Sequence, residues 1–468
     1  MAGVANTAEF TVHGESFIFL GELKKFLNVR PTQDVWEIRL PVVGRDRFPR
    51  VIASRVGRGA LAGLLAQCNS HEAPAILART LAATSTRPVI RRLYLNITLE
   101  CNLRCRYCYV DAARRGLMRC MPWATAVRAV DWLLGQGDGA LPMQIRFFGG
   151  EPLACPDLLR QIVEYCQHKS QATGLRVEYF VSTNGTLLDG GLAQFFKTHN
   201  VHLKISLDGT QKLHDANRVD CQGKGSYEAT LRGLRAAQDA GLRPTVCITA
   251  DGCLGLDVGA VLGAIRALGV QDVQWQSAVT DAPSHKPQAD CQGQVPAELT
   301  AACAWDALLH GDDCYLAFFA DGLRKMFDRE RALPGCGAGL HSLMVAPDGD
   351  LYFCQRFLGH KEFVVGNVHT GCNYEKLAAM LAGIFQAQTA RCKDCWLIFL
   401  CPKGCYYENY RARGAPAAAG EETCRSAEAY FRAVVWLGFK LAQHFPAKLR
   451  EILTRKTYLD ADHARPQC

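Results

Sequence analysis

No stretch of the 468-residue chain approaches the ~18 uninterrupted apolar residues that a membrane-crossing helix needs. The opening residues, Met-Ala-Gly-Val-Ala-Asn-Thr-Ala-Glu, also lack the charged stretch and apolar core of a secretion signal. The chain therefore reads as cytoplasmic, with no membrane partner expected. Blocks of Lys and Arg are missing as well. The net charge of +8 is modest for this length, so no nucleic acid is expected, whereas an acidic peptide is compatible. What the chain does have is cysteine, 22 of them. In a small secreted protein that number would mean disulfides; in a long chain without an export signal it points to metal. The length suggests about two to four domains with a sizeable core.

Three cysteines crowd into eight residues, Cys101-Asn-Leu-Arg-Cys105-Arg-Tyr-Cys108. Thiolates spaced CxxxCxxC on one loop can each bind a different iron of a cubane [4Fe–4S] cluster and leave the fourth iron open. A zinc site would want a fourth protein ligand and usually CxxC pairs, and the aromatic before the third cysteine suits neither zinc nor a chance cluster of buried thiols. The motif resembles the signature of the radical S-adenosylmethionine (radical SAM) family. That resemblance implies that SAM chelates the open iron through its amino and carboxylate groups. An electron from the cluster would split the sulfonium, and a 5′-deoxyadenosyl radical would take a hydrogen atom from the substrate.

Beyond Arg91, strand-like runs at 93–98, 144–148, 177–182, 202–207, 245–250 and 273–276 alternate with helical patterns at 122–134, 157–168, 188–197, 227–240 and 257–268. Such alternation demands parallel pairing and an α/β domain. In the family resembled, this is the partial (β/α)6 radical SAM barrel, expected over residues 88–280. The cysteine loop then follows the first strand, at the end where barrel-like folds collect reactive groups. Residues 1–87 read as a small N-terminal α+β domain. Glu9 to Phe19 alternates around His13-Gly14 as a hairpin, Asp34 to Pro41 adds a third strand, and helical patterns follow at 59–66 and 73–82. In outline this is similar to leader-recognition domains of peptide-modifying enzymes, with the third strand expected to pair with an extended leader peptide. A structural cap on the barrel is the alternative.

Later strand ends carry matching groups. Gly149-Gly150-Glu151-Pro152 follows the second strand, where glycines let the backbone approach a ligand and Glu151 offers a carboxylate. Ser182-Thr183-Asn184-Gly185 ends the third strand, Ser206-Leu207-Asp208-Gly209 the fourth, and His214-Asp215-Ala216-Asn217-Arg218 comes next. Singly, Asn-Gly and Asp-Gly are ordinary turn pairs; in order after successive strands they form a pattern. The family resemblance implies that Gly149, Gly150 and Glu151 meet the SAM amino group and that Ser182 and Asn184 lie near the ribose. It places Ser206 in the same cofactor site and makes Arg218 a cation for the methionine carboxylate.

Residues 281–331 read as a linker, rich in polar residues and proline, followed by bridging helices at 299–310 and 315–331. A second constellation then begins: Cys336, Gly349 and Cys354 as Cx12GxxxxC, Cys392, Cys395, Cys401 and Cys405 as CxxCx5CxxxC, and finally Cys424. Seven thiolates are too many for one cubane, and a zinc ribbon on the middle four leaves Cys336, Cys354 and Cys424 unexplained. The spacing resembles the SPASM extension of radical SAM enzymes. It implies a domain over 332–430 with Cys392, Cys395, Cys401 and Cys424 on one auxiliary cluster and Cys336, Cys354 and Cys405 on another, three [4Fe–4S] clusters in all. No cysteine stands in 328–335 and Cys314 is the nearest upstream, so the second auxiliary cluster is expected to keep an open iron. Other cysteines, such as Cys68, Cys155, Cys247 and Cys303, read as small hydrophobes. A helical tail, 431–468, follows.

Three functions compete. The resemblance implies a maturase that installs an oxidative change, a Cys sulfur-to-carbon thioether above all, in a ribosomally made peptide or small protein, with an external electron donor such as flavodoxin or ferredoxin. Anaerobic sulfatase-maturing enzymes, which make formylglycine, are similar over the same regions. They place a carboxylate base after the cysteine matching Cys354, where this chain has Gln355, and Gln cannot take a proton. A non-catalytic iron–sulfur scaffold is the third class, and the intact SAM motifs argue against it. Catalytic residues beyond the cofactor site are not legible, nor is the peptide.

Overall fold

The computed structural model describes residues 7–12, 15–20, 25–31, 35–43, 49–57, 88–108, 120–250, 258–278, 297–311, 316–327, 336–392, 395–398, 400–417 and 419–454. Five strands come first: β1 (Thr7–Val12), β2 (Glu15–Leu20), β3 (Lys25–Pro31), β4 (Val35–Val43) and β5 (Pro49–Gly57). An alternating region follows: β6 (Arg92–Thr98), α1 (Trp123–Leu134), β7 (Met143–Gly149), α2 (Pro156–Thr173), β8 (Val177–Thr183), α3 (Gly190–Thr198), β9 (Val201–Ser206), α4 (Gln211–Asn217), α5 (Tyr227–Asp239), β10 (Thr245–Ala250), α6 (Val258–Ala267) and β11 (Asp272–Ser277). Then come α7 (Ala297–Leu309), α8 (Leu316–Phe327), the short strands β12 (Ser342–Val345), β13 (Asp350–Tyr352), β14 (Val364–Asn367) and β15 (Gly371–Cys372), and the helices α9 (Tyr374–Cys392), α10 (Tyr406–Arg413), α11 (Glu421–His444) and α12 (Pro446–Thr454). The chain divides into two compact units, one of residues 1–86, 296–336 and 382–456, the other of 87–295, 337–381 and 457–468.

In the second unit one sheet runs β11-β10-β9-β8-β7-β6-β12-β13-β14-β15. Strands β6 to β11 are all parallel, as the alternating pattern requires. Strand β12 adds to β6 in parallel, and β13 to β15 continue antiparallel. Among the described residues no pairing closes this sheet, so it is an open, partial (β/α)6 barrel. Its strands β6 and β7 are near-continuous buried runs because both faces are covered. Leu93, Leu95, Ile97, Ile145, Phe147 and Val181 are fully buried, each contributing about 1.5–3 kcal/mol. Several alternate positions on the opposite face are polar yet also buried, and some of them bond to one another. Arg92 Nε donates to Gln144 at 2.9 Å, Gln144 Nε2 donates to Glu178 at 3.1 Å, and the Arg146 guanidinium lies 4.2 Å from the Phe180 ring. One expectation fails in this unit: Cys155, read as a lone hydrophobe, is disulfide-bonded to Cys120. Their separation of 35 residues carries no sequence signal, because connectivity cannot be deduced from spacing.

In the first unit, β1 to β5 form an antiparallel meander in chain order. The expected hairpin is β1–β2, paired from Thr7–Leu20 to Val12–Glu15. The expected third strand is β4, and its position corrects the proposed leader site. It pairs with β3 over Trp36–Arg39 and with β5 along its whole length, so it is an inner strand; β1 and β5 are the sheet's outer strands. Val12 and Phe17 are buried in a core with Phe319, Leu323, Val434 and Phe439 from α8 and α11. Phe17 meets Phe439 edge to face with centroids 5.8 Å apart. At Gly438 of α11 a side chain would begin 2.4 Å from Met326 Cε, so the glycine lets α8 approach closely. The helical patterns at 59–66 and 73–82, the linker of 281–295 and Cys314 lie outside the described residues. Among those described, no helix is long and apolar enough to cross a membrane.

Candidate cluster and cofactor site

The strand ends of the second unit bring the predicted residues together around the Cys101–Cys108 loop. Strand β6 ends at Thr98, and Cys101, Cys105 and Cys108 follow as half-buried thiols outside any disulfide. The Gly149-Gly150 pair sits directly against this loop. Gly149 adopts φ 136°, which only glycine takes readily, and a Cβ there would lie 2.2 Å from Thr98 O. A Cβ on Gly150 would fall 2.1 Å from Glu100 O. The glycines therefore admit the backbone of the cysteine loop, whereas the sequence reading had them admit a ligand. Gly150 N–H donates to Thr98 O at 2.9 Å and Glu151 N–H to Glu100 O at 2.8 Å, fixing the residues just before Cys101.

Glu151 is buried, and its carboxylate is occupied by protein donors: Leu153 N–H at 3.0 Å, Thr183 Oγ1 at 2.6 Å and Asn184 N–H at 2.7 Å. Burial pushes its pKa up to about 7, against the pull of those three donors. In this arrangement Glu151 splices the ends of β7 and β8. Asn184 extends the splice to the loop, its Nδ2 donating to Asn102 Oδ1 at 2.9 Å and lying 3.8 Å from Cys101 Sγ. Asn102 in turn donates to Thr186 at 2.7 Å. Burial, reinforced by the Glu151 carboxylate, pushes the Cys101 thiol up to about 12. Ser182 lies near the end of β8 beside Lys204, and Ser206 ends β9 beside Cys247.

Arg218 is bonded to a protein carboxylate. Its Nε and Nη2 take both oxygens of Asp208, at 2.9 and 3.0 Å, and Nη2 also donates to Thr249 at 3.2 Å. Both partners of this ion pair are buried. Tyr107, between the second and third cysteines, donates its hydroxyl to Asp208. Asp208, Thr183, Asn102 and Tyr107 are thus site residues that sequence reasoning passed over. Asp208 stood in a quoted motif but was read as half of a turn pair, and Tyr107 only as an aromatic.

In the first unit, Cys392 ends α9, Cys405 precedes α10 and Cys424 lies in the first turn of α11. Burial holds the thiols of Cys392 and Cys401 above their ordinary range, and each is raised further by Cys424, so these groups share one electrostatic neighbourhood. Cys395 interacts with all three. The loop between Cys401 and Cys405 contains a surprise. Lys403 is buried at φ 61°, its Nζ donating to Ile398 O and, at 2.9 Å, to Cys401 O. Cys336 and Cys405 belong to the first unit and Cys354 to the second, where its sulfur lies 3.9 Å from Gln355 Oε1.

Residues 95–267 match the model of the Radical SAM superfamily. This stretch is a radical SAM domain. The chain is 22% identical over 339 residues to the serine-type anaerobic sulfatase-maturating enzyme of Klebsiella aerogenes, covering 69% of this chain and 82% of that one. It is 29% identical over 322 residues to the mycofactocin maturase MftC of Mycobacterium tuberculosis, covering 66% and 76%. With an uncharacterized protein of Methanocaldococcus jannaschii it shares 33% over 145 residues, 31% of this chain and 48% of that protein, so it spans about half of that relative. Among solved structures, anSMEcpe with bound AdoMet superposes with a TM-score of 0.64 at 20% identity over 81% of this chain and all of that one. Streptococcus suis SuiB bound to its precursor peptide SuiA gives 0.54 at 13% identity over 77% and 80%. At these identities the structural likeness is one of fold.

The superfamily implies SAM and a [4Fe–4S] cluster, and the donor set fits them. Cys101, Cys105 and Cys108 are thiols outside any disulfide, on one short loop that follows the carboxyl end of β6. Among the described residues no three His, Cys, Asp or Glu groups are placed to hold a single metal ion. A cubane takes each thiolate on a different iron and does not require that. When bound, the cluster supplies the electron for reductive cleavage of SAM. The protein's own part is to fix the loop, through Gly149, Gly150, Glu151 and Asn184. Replacing Gly150 by alanine will push the Glu100 carbonyl away and drag Cys101 with it. Such overpacking costs about 1–3 kcal/mol. Iron bound after anaerobic reconstitution is the measurement, and a full cluster complement in Gly150→Ala would contradict this account of the glycine.

Proposed function

We propose that this enzyme matures a ribosomally made peptide or small protein, abstracting a hydrogen atom and installing a Cys sulfur-to-carbon thioether. The observation that carries the bond type is Gln355, which stands beside Cys354 where a proton-accepting carboxylate would serve formylglycine formation. Similarity to the mycofactocin maturase and a fold shared with SuiB, whose structure holds a precursor peptide, support a peptide substrate. Cys392, Cys395, Cys401 and Cys424 would hold one auxiliary cluster and Cys336, Cys354 and Cys405 another, the latter with an open iron. Their chemistry would be electron storage, with flavodoxin or ferredoxin as the outside donor. The domain limits of the sequence reading stand in this proposal, with leader capture moved to an outer strand of the N-terminal sheet.

A second reading, formylglycine generation, is favoured by the 339-residue similarity to a sulfatase-maturating enzyme. One assay separates the two. Reconstituted enzyme, SAM and dithionite are incubated anaerobically with cysteine-containing precursor peptides and, separately, with a sulfatase-derived peptide. The expected product has lost two hydrogens and one alkylatable thiol. A hydrazide-reactive aldehyde on the sulfatase peptide, with no change in the precursors, would reverse the assignment.

A further inference from the structure

The loop that carries Cys101, Cys105 and Cys108 is held from two sides. One side is the glycine and Glu151 splice already described. The other is the segment around Arg218. Arg104 N–H donates to Val219 O at 2.6 Å and Arg106 N–H to Asn217 O at 2.9 Å, so the loop lies along the two residues that flank Arg218. A bridge between Leu103 and Asp220 continues the contact.

Between those backbone bonds sits a buried side-chain node. Asp208, with no exposed surface, accepts from four donors: the Tyr107 hydroxyl, Arg218 Nε, Arg218 Nη2, and Thr249 N–H at 2.9 Å. Tyr107 lies between two of the cysteines, and the Arg218 guanidinium is 5.2 Å from the centre of its ring. The node is braced from behind. Asp208 N–H donates to His214 Nδ1 at 3.3 Å, His214 Nε2 lies 3.0 Å from Ser226 Oγ, and Ser226 Oγ donates to Arg218 O at 2.8 Å. Burial pulls the His214 pKa down to about 4, so a neutral ring meets both contacts near neutral pH. A guanidinium whose fork is already taken by a carboxylate forms a neutral pair and offers a second carboxylate little net charge.

We propose that Asp208 and Arg218 clamp the cysteine loop through the Tyr107 hydroxyl and the two flanking backbone bonds, making Arg218 a positioning residue for the metal-binding thiols. The clamp reaches those thiols through Tyr107, one residue from Cys108 and two from Cys105. It rests on the radical SAM assignment of the loop and is independent of which peptide is modified.

The test needs a readout that a cofactor-facing cation would leave unmoved. Reconstituted wild type, Tyr107→Phe and Arg218→Lys are mixed with an iron chelator anaerobically, without SAM, and iron loss is followed. Tyr107→Phe removes one hydroxyl and leaves the ion pair, so it stays falsifiable if Arg218→Lys does not fold. Losing a charge-assisted hydrogen bond in a buried node corresponds to about tenfold. Iron is therefore expected to leave Tyr107→Phe about tenfold faster than wild type, and Arg218→Lys at least as fast. Wild-type rates in both variants, with only SAM affinity lowered in Arg218→Lys, would overturn the clamp and restore Arg218 to the cofactor carboxylate. Failure of the loop assignment itself would show separately, as a reconstituted iron content that does not fall when Cys101, Cys105 and Cys108 are replaced by alanine.

Discussion

Replacing Cys101, Cys105 and Cys108 together by alanine will bring SAM cleavage down by roughly a thousandfold or more, to the uncatalysed level. Each thiolate would be one iron's protein bond, and among the described residues the nearby Glu151 and Asn184 are already committed to Thr183, Leu153 and Asn102. The same variant should fold. The three cysteines are only half-buried, and the loop keeps its backbone bonds and those of Asn102 and Tyr107 when the sulfurs are removed. Formation of 5′-deoxyadenosine under dithionite, read beside a thermal melt of the metal-free protein, checks both halves. Cleavage that persists in the triple variant would remove the radical chemistry from this loop altogether.

The second large effect lies in the core of the first unit. Phe439→Ala in α11 is expected to cost about 3–5 kcal/mol, because it empties a fully packed site. Its ring meets Phe17, which is also buried, so the loss falls on the packing of β2 against α11. Urea unfolding and limited proteolysis of the first 57 residues measure it, and a change below about 1 kcal/mol would refute the coupling. Removing residues 1–85 strips the same core of Val12 and Phe17 and uncovers α11. A truncated protein that fails to bind a leader peptide therefore says nothing about leader capture, which has to be measured on the full chain.

How much of this was legible in sequence follows from what each signal rests on. The six parallel strands were legible because buried strands write themselves as short apolar runs between helical periods. Strands β3 and β5 were not. The first contains Arg30 and ends in Pro31, the second begins with Pro49 and Arg50, and proline within or beside a run argues against a strand. The glycines and Glu151 were found, but not their fit against the cysteine loop, since a motif names residues without saying which part of the chain packs on them. Arg218 was found without Asp208. They are ten residues apart, and only the short helix α4, capped by Thr210, folds one back onto the other. Lys403 escaped because a lysine between cysteines reads as a solvated charge, and only the left-handed turn carries its Nζ inward to two carbonyls.

Strand β12 has a consequence for how the enzyme is made. It pairs with β6 in parallel, Ser342 against Arg92, so the first strand of the barrel region gains its outer neighbour only when the chain has grown roughly 250 residues further. At ribosomal speeds that interval is on the order of ten to fifty seconds. Throughout it the emerging β6 would present an unpaired row of amides and carbonyls to the cell, beside the loop destined to receive iron. Sealing that edge is a late event of biosynthesis, so cluster insertion and chaperone protection would compete for the same exposed strand during translation.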